Sequence, residues 1–264
     1  MALVEIQNVT KTFKTKVGGV HREVKALQGV SFSMERGEIV AITGASGCGK
    51  TTMLRIIMGL ERASGGAVIV NGKEVNGCGY DRGLVFQHSE LLPWRNAEQN
   101  VAFGLELKGM GKVERQAEAK RNLELVGLGH AGDRLPHQLS GGMKQRVGIA
   151  RALAISPDVL LMDEPFGALD AQTRESLQNE LLVIQAKTQQ TIIMVTHDLD
   201  EAVLLADRIV VMSQGRVKEV LEVHLPRPRP SLAALRGDPE FGEKRLRLFD
   251  LLKSEMEADA KRAA

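Results

Sequence analysis

Gly44-Ala45-Ser46-Gly47-Cys48-Gly49-Lys50-Thr51-Thr52 joins glycine-rich backbone to a cation and paired threonine hydroxyls. This spacing is that of a phosphate-binding loop, set between an apolar run and a helical pattern. The glycines allow backbone angles closed to other residues and let amides approach phosphate oxygens. The following helix start adds its partial positive charge. Lys50 can then reach the β- and γ-phosphates of a nucleotide, and the Thr51 hydroxyl can bind Mg²⁺. Cys48 inside the loop reads as a small residue that fits there, with a thiol that could be modified.

Two further stretches extend that chemistry. Val159-Leu160-Leu161-Met162-Asp163-Glu164-Pro165 reads as a buried strand ending in two carboxylates. Asp163 can hold Mg²⁺, and Glu164 can orient or deprotonate water. In Leu139-Ser140-Gly141-Gly142-Met143-Lys144-Gln145-Arg146, Ser140 stands where an N-cap belongs and a helix begins at two glycines. Glycine in a first turn costs stability, so its presence points to uncovered amides facing a second anion. One chain therefore carries two helix starts suited to phosphate.

The elements that position these residues follow from periodicity. Strands are predicted at residues 4–6, 30–34, 38–43 and 67–70, the last followed by the hairpin signal Asn71-Gly72. Residues 51–60 have helical spacing, with Leu54, Ile57 and Met58 on one face. From about residue 91 to 156 the pattern is helical, including 113–126 and 141–154, where Met143, Val147, Ala150 and Ala154 share a face before Pro157. Strands return at 158–162, 191–196 and 208–212, with helices at 172–187 and 199–206 between them. Such alternation predicts a parallel sheet covered on both faces. Ser213-Gln214-Gly215-Arg216 marks a closing hairpin, and Leu225-Pro226-Arg227-Pro228-Arg229-Pro230 a stiff extended stretch. A docked terminal helix is expected after it, with Leu248, Phe249, Leu252 and Met256 on one face.

Composition narrows the classes. The 264 residues, 43% hydrophobic and 26% charged, suit a globular protein with an ample core. Aromatics at 3% argue against a base-stacking platform, and a net charge of +2 gives no general drive toward nucleic acid. Cys48 and Cys78 form neither a metal nor a redox pattern. The start Met1-Ala2-Leu3-Val4-Glu5 does not read as a signal peptide, and no apolar run approaches the roughly 20 residues of a spanning helix. Service to a membrane would go through partners.

Together these motifs resemble the ATP-binding cassette (ABC) family over roughly residues 3–224. The resemblance implies an α/β P-loop NTPase: a cassette with a mixed parallel sheet, an antiparallel β-subdomain and an inserted helical subdomain at about 90–156. Residues 225–264 would then form a C-terminal extension with a short helix. Phe13 matches the family's adenine-stacking aromatic. Gln87, ending Gly83-Leu84-Val85-Phe86, matches the glutamine that couples the site to membrane subunits and reaches the metal. Ser140 to Gln145 match the signature, Asp163-Glu164 the acidic pair, Ala168-Leu169-Asp170 the loop that crosses the dimer, and His197 the switch histidine. Residues 15–23 match a variable strand connection, and no catalytic position departs from the pattern.

The resemblance implies an ATPase with ATP and Mg²⁺ held between two cassettes packed head to tail. The second cassette would be another copy or a paralogue, on the cytoplasmic face of separate permease subunits, with a solute-binding protein as an indirect partner. Leu91-Leu92-Pro93-Trp94, Asn100-Val101-Ala102-Phe103-Gly104-Leu105, the 163–170 stretch and Leu225-Pro226-Arg227-Pro228-Arg229 resemble the importer ATPases for nitrate, sulfonate and taurine. Exporter and non-transport ABC ATPases remain the alternatives. The short interval between loop and signature, without sustained heptads, argues against a DNA-repair member, and a single cassette against a translation member. The signature, Gln87 and His197 argue against a small-molecule kinase.

Overall fold

A computed structural model describes residues 2–17, 20–227, 229, 232–235 and 237–263, with backbone alone at 15–17, 20–21, 232 and 254–263. In order along the sequence the strands and helices are β1 (Val4–Val17), β2 (Val20–Met34), β3 (Ile39–Gly44), α1 (Lys50–Met58), β4 (Gly65–Val70), β5 (Lys73–Glu74), β6 (Arg82–Val85), α2 (Ala97–Leu107), α3 (Lys112–Leu125), α4 (Gly141–Ala154), β7 (Val159–Asp163), α5 (Ala171–Thr188), β8 (Thr191–Val195), α6 (Leu199–Leu205), β9 (Arg208–Ser213), β10 (Arg216–Glu222), α7 (Leu232–Leu235) and α8 (Pro239–Ala263). The protein divides into two compact units, Met1–Gly79 with Ile193–Ala264, and Tyr80–Ile192.

The first unit holds an antiparallel sheet in the order β2-β1-β4-β5 and the run β10-β9-β3-β8. β3 and β9 pair in parallel, and β10 returns antiparallel on β9. Every residue of β3 and β8 is buried, as both-face coverage of a parallel sheet requires. Two tight turns close hairpins where the sequence signals them. Asn71 and Gly72 adopt φ 49° and 74° between β4 and β5, and Gln214 and Gly215 adopt 49° and 75° between β9 and β10. Positive φ at both central residues matches the right-handed strand twist, which explains Asn-Gly at one and glycine at the other.

β1 and β2 run far beyond the short strands expected, as one long ribbon from Val4↔Met34 to Val17↔Val20. Register shifts between Ile6 and Val9, Val9 and Thr10, and Lys11 and Thr12 interrupt the two-residue period, so no continuous apolar alternation announces it. Of the expected 15–23 connection, residues 15–17 and 20–23 therefore belong to strands, and residues 18–19 lie outside the described residues.

The second unit pairs β6 in parallel with β7 and carries α2, α3, α4 and α5. Helices α2 to α4 fill most of the expected helical region. α2 starts at a full capping box, in which Asn96 accepts from the Gln99 amide and Gln99 reaches back to the Asn96 N–H. The stiffness expected of Pro228 and Pro230, and the face position of the Met256 side chain, fall outside the described residues. The terminal helix α8 has 25 residues rather than the short length expected, and belongs to the first unit.

Candidate nucleotide site

In the first unit, β3 delivers the backbone to the loop and α1 receives it. Gly44 has φ 153°, and a Cβ there would sit 2.2 Å from the Met212 carbonyl oxygen and 2.7 Å from Cys48 Sγ. Gly49, at φ 104°, is pressed against the Ala26 carbonyl, where a Cβ would approach to 2.6 Å. Gly47, at φ 79°, faces open space. The loop thus needs glycine twice for packing and strain, and at Gly47 leaves one backbone face clear for a ligand.

Gly49 N-caps α1 with no side-chain hydrogen bond, and the first turn has no acidic residue. Its amides and dipole are left for an anion. Lys50 folds back over the loop and donates from Nζ to the Gly44 oxygen at 2.8 Å and the Ala45 oxygen at 3.0 Å. Its side chain is buried, so the ammonium stands within the loop's curve. Cys48 is buried, only 4% exposed, in keeping with a small residue that fits. Ala45 is half-buried, Ser46 and Thr51 are exposed, and Thr52 is half-buried. Phe13, half-buried on β1, carries the Lys11 ammonium 4.9 Å from its ring centroid, and Lys11 is in turn paired with Glu61.

In the second unit, Ser140 caps α4 as expected, its Oγ accepting from the Met143 amide at 3.3 Å. Ser140 and Gly141 are exposed, while Gly142 is buried. A Cβ on Gly142 would stand 2.5 Å from Thr173 Cγ2, so this glycine also admits α5 against α4. Arg146 of the same helix reaches Glu180 on α5 at 2.5 Å. Burial pushes the Glu180 carboxyl up, and Arg146 and Ser176 act against that.

The acidic pair ends β7. Glu164 adopts φ 46°, a left-handed conformation that costs a non-glycine residue roughly 1 kcal/mol. A point one Cβ from Gly167 lies 3.3 Å from Gln87 Nε2 and 3.8 Å from a Glu164 carboxylate oxygen, so Gln87 and Glu164 converge there. Asp163 is half-buried at the strand end.

Asp170 N-caps α5, its Oδ1 accepting from the Thr173 amide at 3.0 Å. Those Thr173 hydrogen bonds hold its carboxyl below the usual range. In the first unit, His197 stands exposed just past β8. Its neighbours are anchored: Thr196 donates from N to the Ile42 oxygen at 3.2 Å, and the Asp198 amide donates to Thr196 Oγ1 at 3.0 Å.

Sequence reasoning missed what holds the Gln87 segment. Buried Gln145 donates from Nε2 to the Phe86 oxygen at 3.0 Å, and Arg151 donates to the Ser89 and Glu90 oxygens, each at 2.8 Å. Their i, i+6 spacing carried no signal, because their partners lie some sixty positions away. Asn100, buried, accepts from the Leu92 amide and donates from Nδ2 to the Leu92, Arg95 and Asn96 oxygens, shaping the turn that displays Trp94 at 72% exposure. Leu105 packs in the core, and Phe103 lies under Arg95 at 5.0 Å. Among the described residues no group of three or more His, Cys, Asp or Glu could hold a metal. The donors assigned to Mg²⁺ are a hydroxyl, an amide oxygen and a carboxylate, hard oxygens that suit a metal shared with phosphates.

Comparison with known proteins gives the family. Residues 27–167 match the family described as ABC transporter. An uncharacterized ABC transporter ATP-binding protein of Methanocaldococcus jannaschii is 49% identical over 255 residues, covering 96% of this chain and 92% of that protein. The nitrate transport protein NasD of Klebsiella oxytoca is 45% identical over 256 residues, 95% and 96% of the two proteins. The bicarbonate transport ATP-binding protein CmpC of Synechocystis is 47% identical over 248 residues, 89% of this chain but 37% of that longer one. Among solved structures, an ATP-binding cassette in a dimeric post-hydrolysis state with ADP and Pi matches at TM-score 0.73 and 35% identity, over 84% of this protein and 99% of that one. With identity of this order along nearly its whole length, the chain belongs to the ABC transporter family, as an ATP-binding subunit with ATPase chemistry.

Proposed function

We propose that this protein is the motor of an importer for nitrate, a sulfonate, taurine or a related small solute. The Klebsiella relative is named for nitrate transport, which supports that solute class. No helix among the described residues is long and apolar enough to cross a membrane. As an ATP-binding subunit of this family, the protein would sit peripherally on the cytoplasmic face, bound to permease subunits that meet a solute-binding protein on the other side.

The observation that carries the mechanism is the second anion-ready helix start. One nucleotide's phosphates need one loop, and α1 with Lys50 supplies it. The start of α4, with Ser140 and Gly141 exposed, is then available to a nucleotide held by another cassette. The dimeric solved relative supports this reading. In it, Lys50 and the loop amides bind the phosphates of ATP, and Phe13 packs on the adenine. Mg²⁺ held by Thr51, Gln87 and Asp163 would neutralise phosphate charge. Glu164 orients the attacking water and accepts its proton, His197 binds the transferred group's oxygens, and Asp170 lies at the junction of the cassettes. Closure excludes water and aligns these groups, which accelerates phosphoryl transfer by position and charge.

Light scattering on Glu164→Gln tests this. With ATP the protein should shift from monomer to dimer, because binding persists while hydrolysis stops. A protein that binds ATP and stays monomeric, alone and with its permease subunits, would remove the shared site.

A further inference from the structure

Helix α6 follows His197 by two residues and has only seven residues. A helix that short does not hold its own position in water; its packing and end contacts must do so. The tail that follows β10 grips both of its ends. At the first turn, Arg245 of α8 pairs with Asp200. At the far end, Arg227 donates to the Leu205 oxygen at 3.3 Å and to Asp207 at 2.7 Å, and Arg229 donates to the Ala206 oxygen. Cations at the carbonyl end and an acid at the amide end both suit the helix dipole.

Arg229 is a built part of this clamp. Its side chain is fully buried, and a second bond to the Leu225 oxygen at 2.6 Å closes the strap on itself. Burial draws its pKa down to about 10, so it stays charged at neutral pH. Phe241, Leu248 and Leu251 bury the inner face of α8, which packs on α6 and β9.

What α6 carries in turn is the His197 loop. The Glu201 amide donates to Asp198 at 3.0 Å, and Thr196 Oγ1 donates to the Glu201 carboxylate at 3.1 Å. His197 therefore stands between two residues that are both tied to buried Glu201 on α6. A shift of α6 displaces Thr196 and Asp198 together.

We propose that the C-terminal strap and α8 position the His197 loop through α6, with Arg245, Arg229 and Asp200 as positioning residues for ATP hydrolysis. The inference rests on the reading of His197 as the switch histidine. It gives the tail a role in turnover rather than in fold alone, and a partner that pulls on α8 would slow hydrolysis without touching nucleotide.

The test uses the purified full-length protein with Arg245→Ala, Asp200→Asn, their double variant, Arg245→Lys and His197→Ala. Turnover and KM for ATP are measured, with the ¹H–¹⁵N signals of the His197 imidazole, assigned by their loss in His197→Ala. Each single variant should lower kcat about fivefold with KM changed less than about twofold, and the double variant no further. Arg245→Lys should recover most of the rate, and the His197 signals should shift in the slow variants alone. Unchanged kcat and unshifted His197 signals in Arg245→Ala, beside an inactive His197→Ala, would overturn the clamp. Slow turnover with unmoved His197 signals would overturn it as well. If His197→Ala turns over normally, the switch reading fails instead, and the imidazole shift alone decides whether the tail positions the loop. Arg245 is about half exposed and Asp200 about one-third, so these variants are expected to fold, which circular dichroism checks.

Discussion

Lys50 and Glu164 show how differently single residues are made ready. Lys50 needs only its loop: the ammonium is held by carbonyls of the residues that precede it. Lys50→Ala should weaken ATP binding about thirtyfold or more, since a charged hydrogen-bonding group to phosphate is lost. A fluorescent nucleotide titration measures it, and unchanged affinity would count against the loop. Glu164 instead stands at a left-handed backbone position, with its carboxylate and Gln87 Nε2 both near one point beside Gly167. Glu164→Gln should keep ATP affinity and lose turnover by on the order of a hundredfold or more, followed by phosphate release.

At the scale of elements, the junction of α4 and α5 is set by Gly142. A methyl there would collide with Thr173 Cγ2, and overpacking of this kind costs about 1–3 kcal/mol. Gly142→Ala should lower the urea midpoint, and adding Thr173→Ser, which removes that methyl, should recover most of it. If the double variant is no better than the single, the glycine serves the amides alone. Asp170, capping α5, adds a pH dependence. Its carboxyl is lowered in the folded protein, so its stabilisation is complete above the unfolded aspartate range and is lost as pH falls through the lower folded value. Asp170→Asn keeps a capping side chain and should leave neutral-pH stability almost unchanged while flattening the acid limb of an unfolding curve.

For the whole molecule, the proposed dimer makes Ser140 a contact with another copy rather than with its own nucleotide. Ser140→Arg should leave nucleotide binding by a single protomer intact and block both dimer formation and turnover. Scattering and phosphate release check this together, and normal turnover would remove the composite site. At this scale too, the tail belongs with the first unit, where Arg227 and Arg229 converge on Asp207. Asp207 also pins the start of β3 by accepting from the Ile39 amide at 2.9 Å.

The phosphate loop, the acidic strand end, the Ser140 cap and the two positive-φ hairpins were legible because each is local. Glycine, a capping hydroxyl and an apolar strand act on neighbours a few positions away, so residue type and spacing carry the message. The full length of the β1–β2 ribbon was not legible, because register shifts between Ile6 and Val9, Val9 and Thr10, and Lys11 and Thr12 break the apolar period of its strands. The hold of Gln145 and Arg151 on the Gln87 segment gave no signal, because the carbonyls they satisfy lie some sixty positions away and come within reach only when α4 packs. The second reason for Gly142 exists only once Thr173 is brought against it. The grip of the tail on α6 likewise joins residues 200 and 245, which no period relates. By itself, then, the sequence determined which chemistry the protein carries. The tertiary structure alone decided what holds that chemistry in place, since buried polar groups must be satisfied by whatever the fold brings within reach.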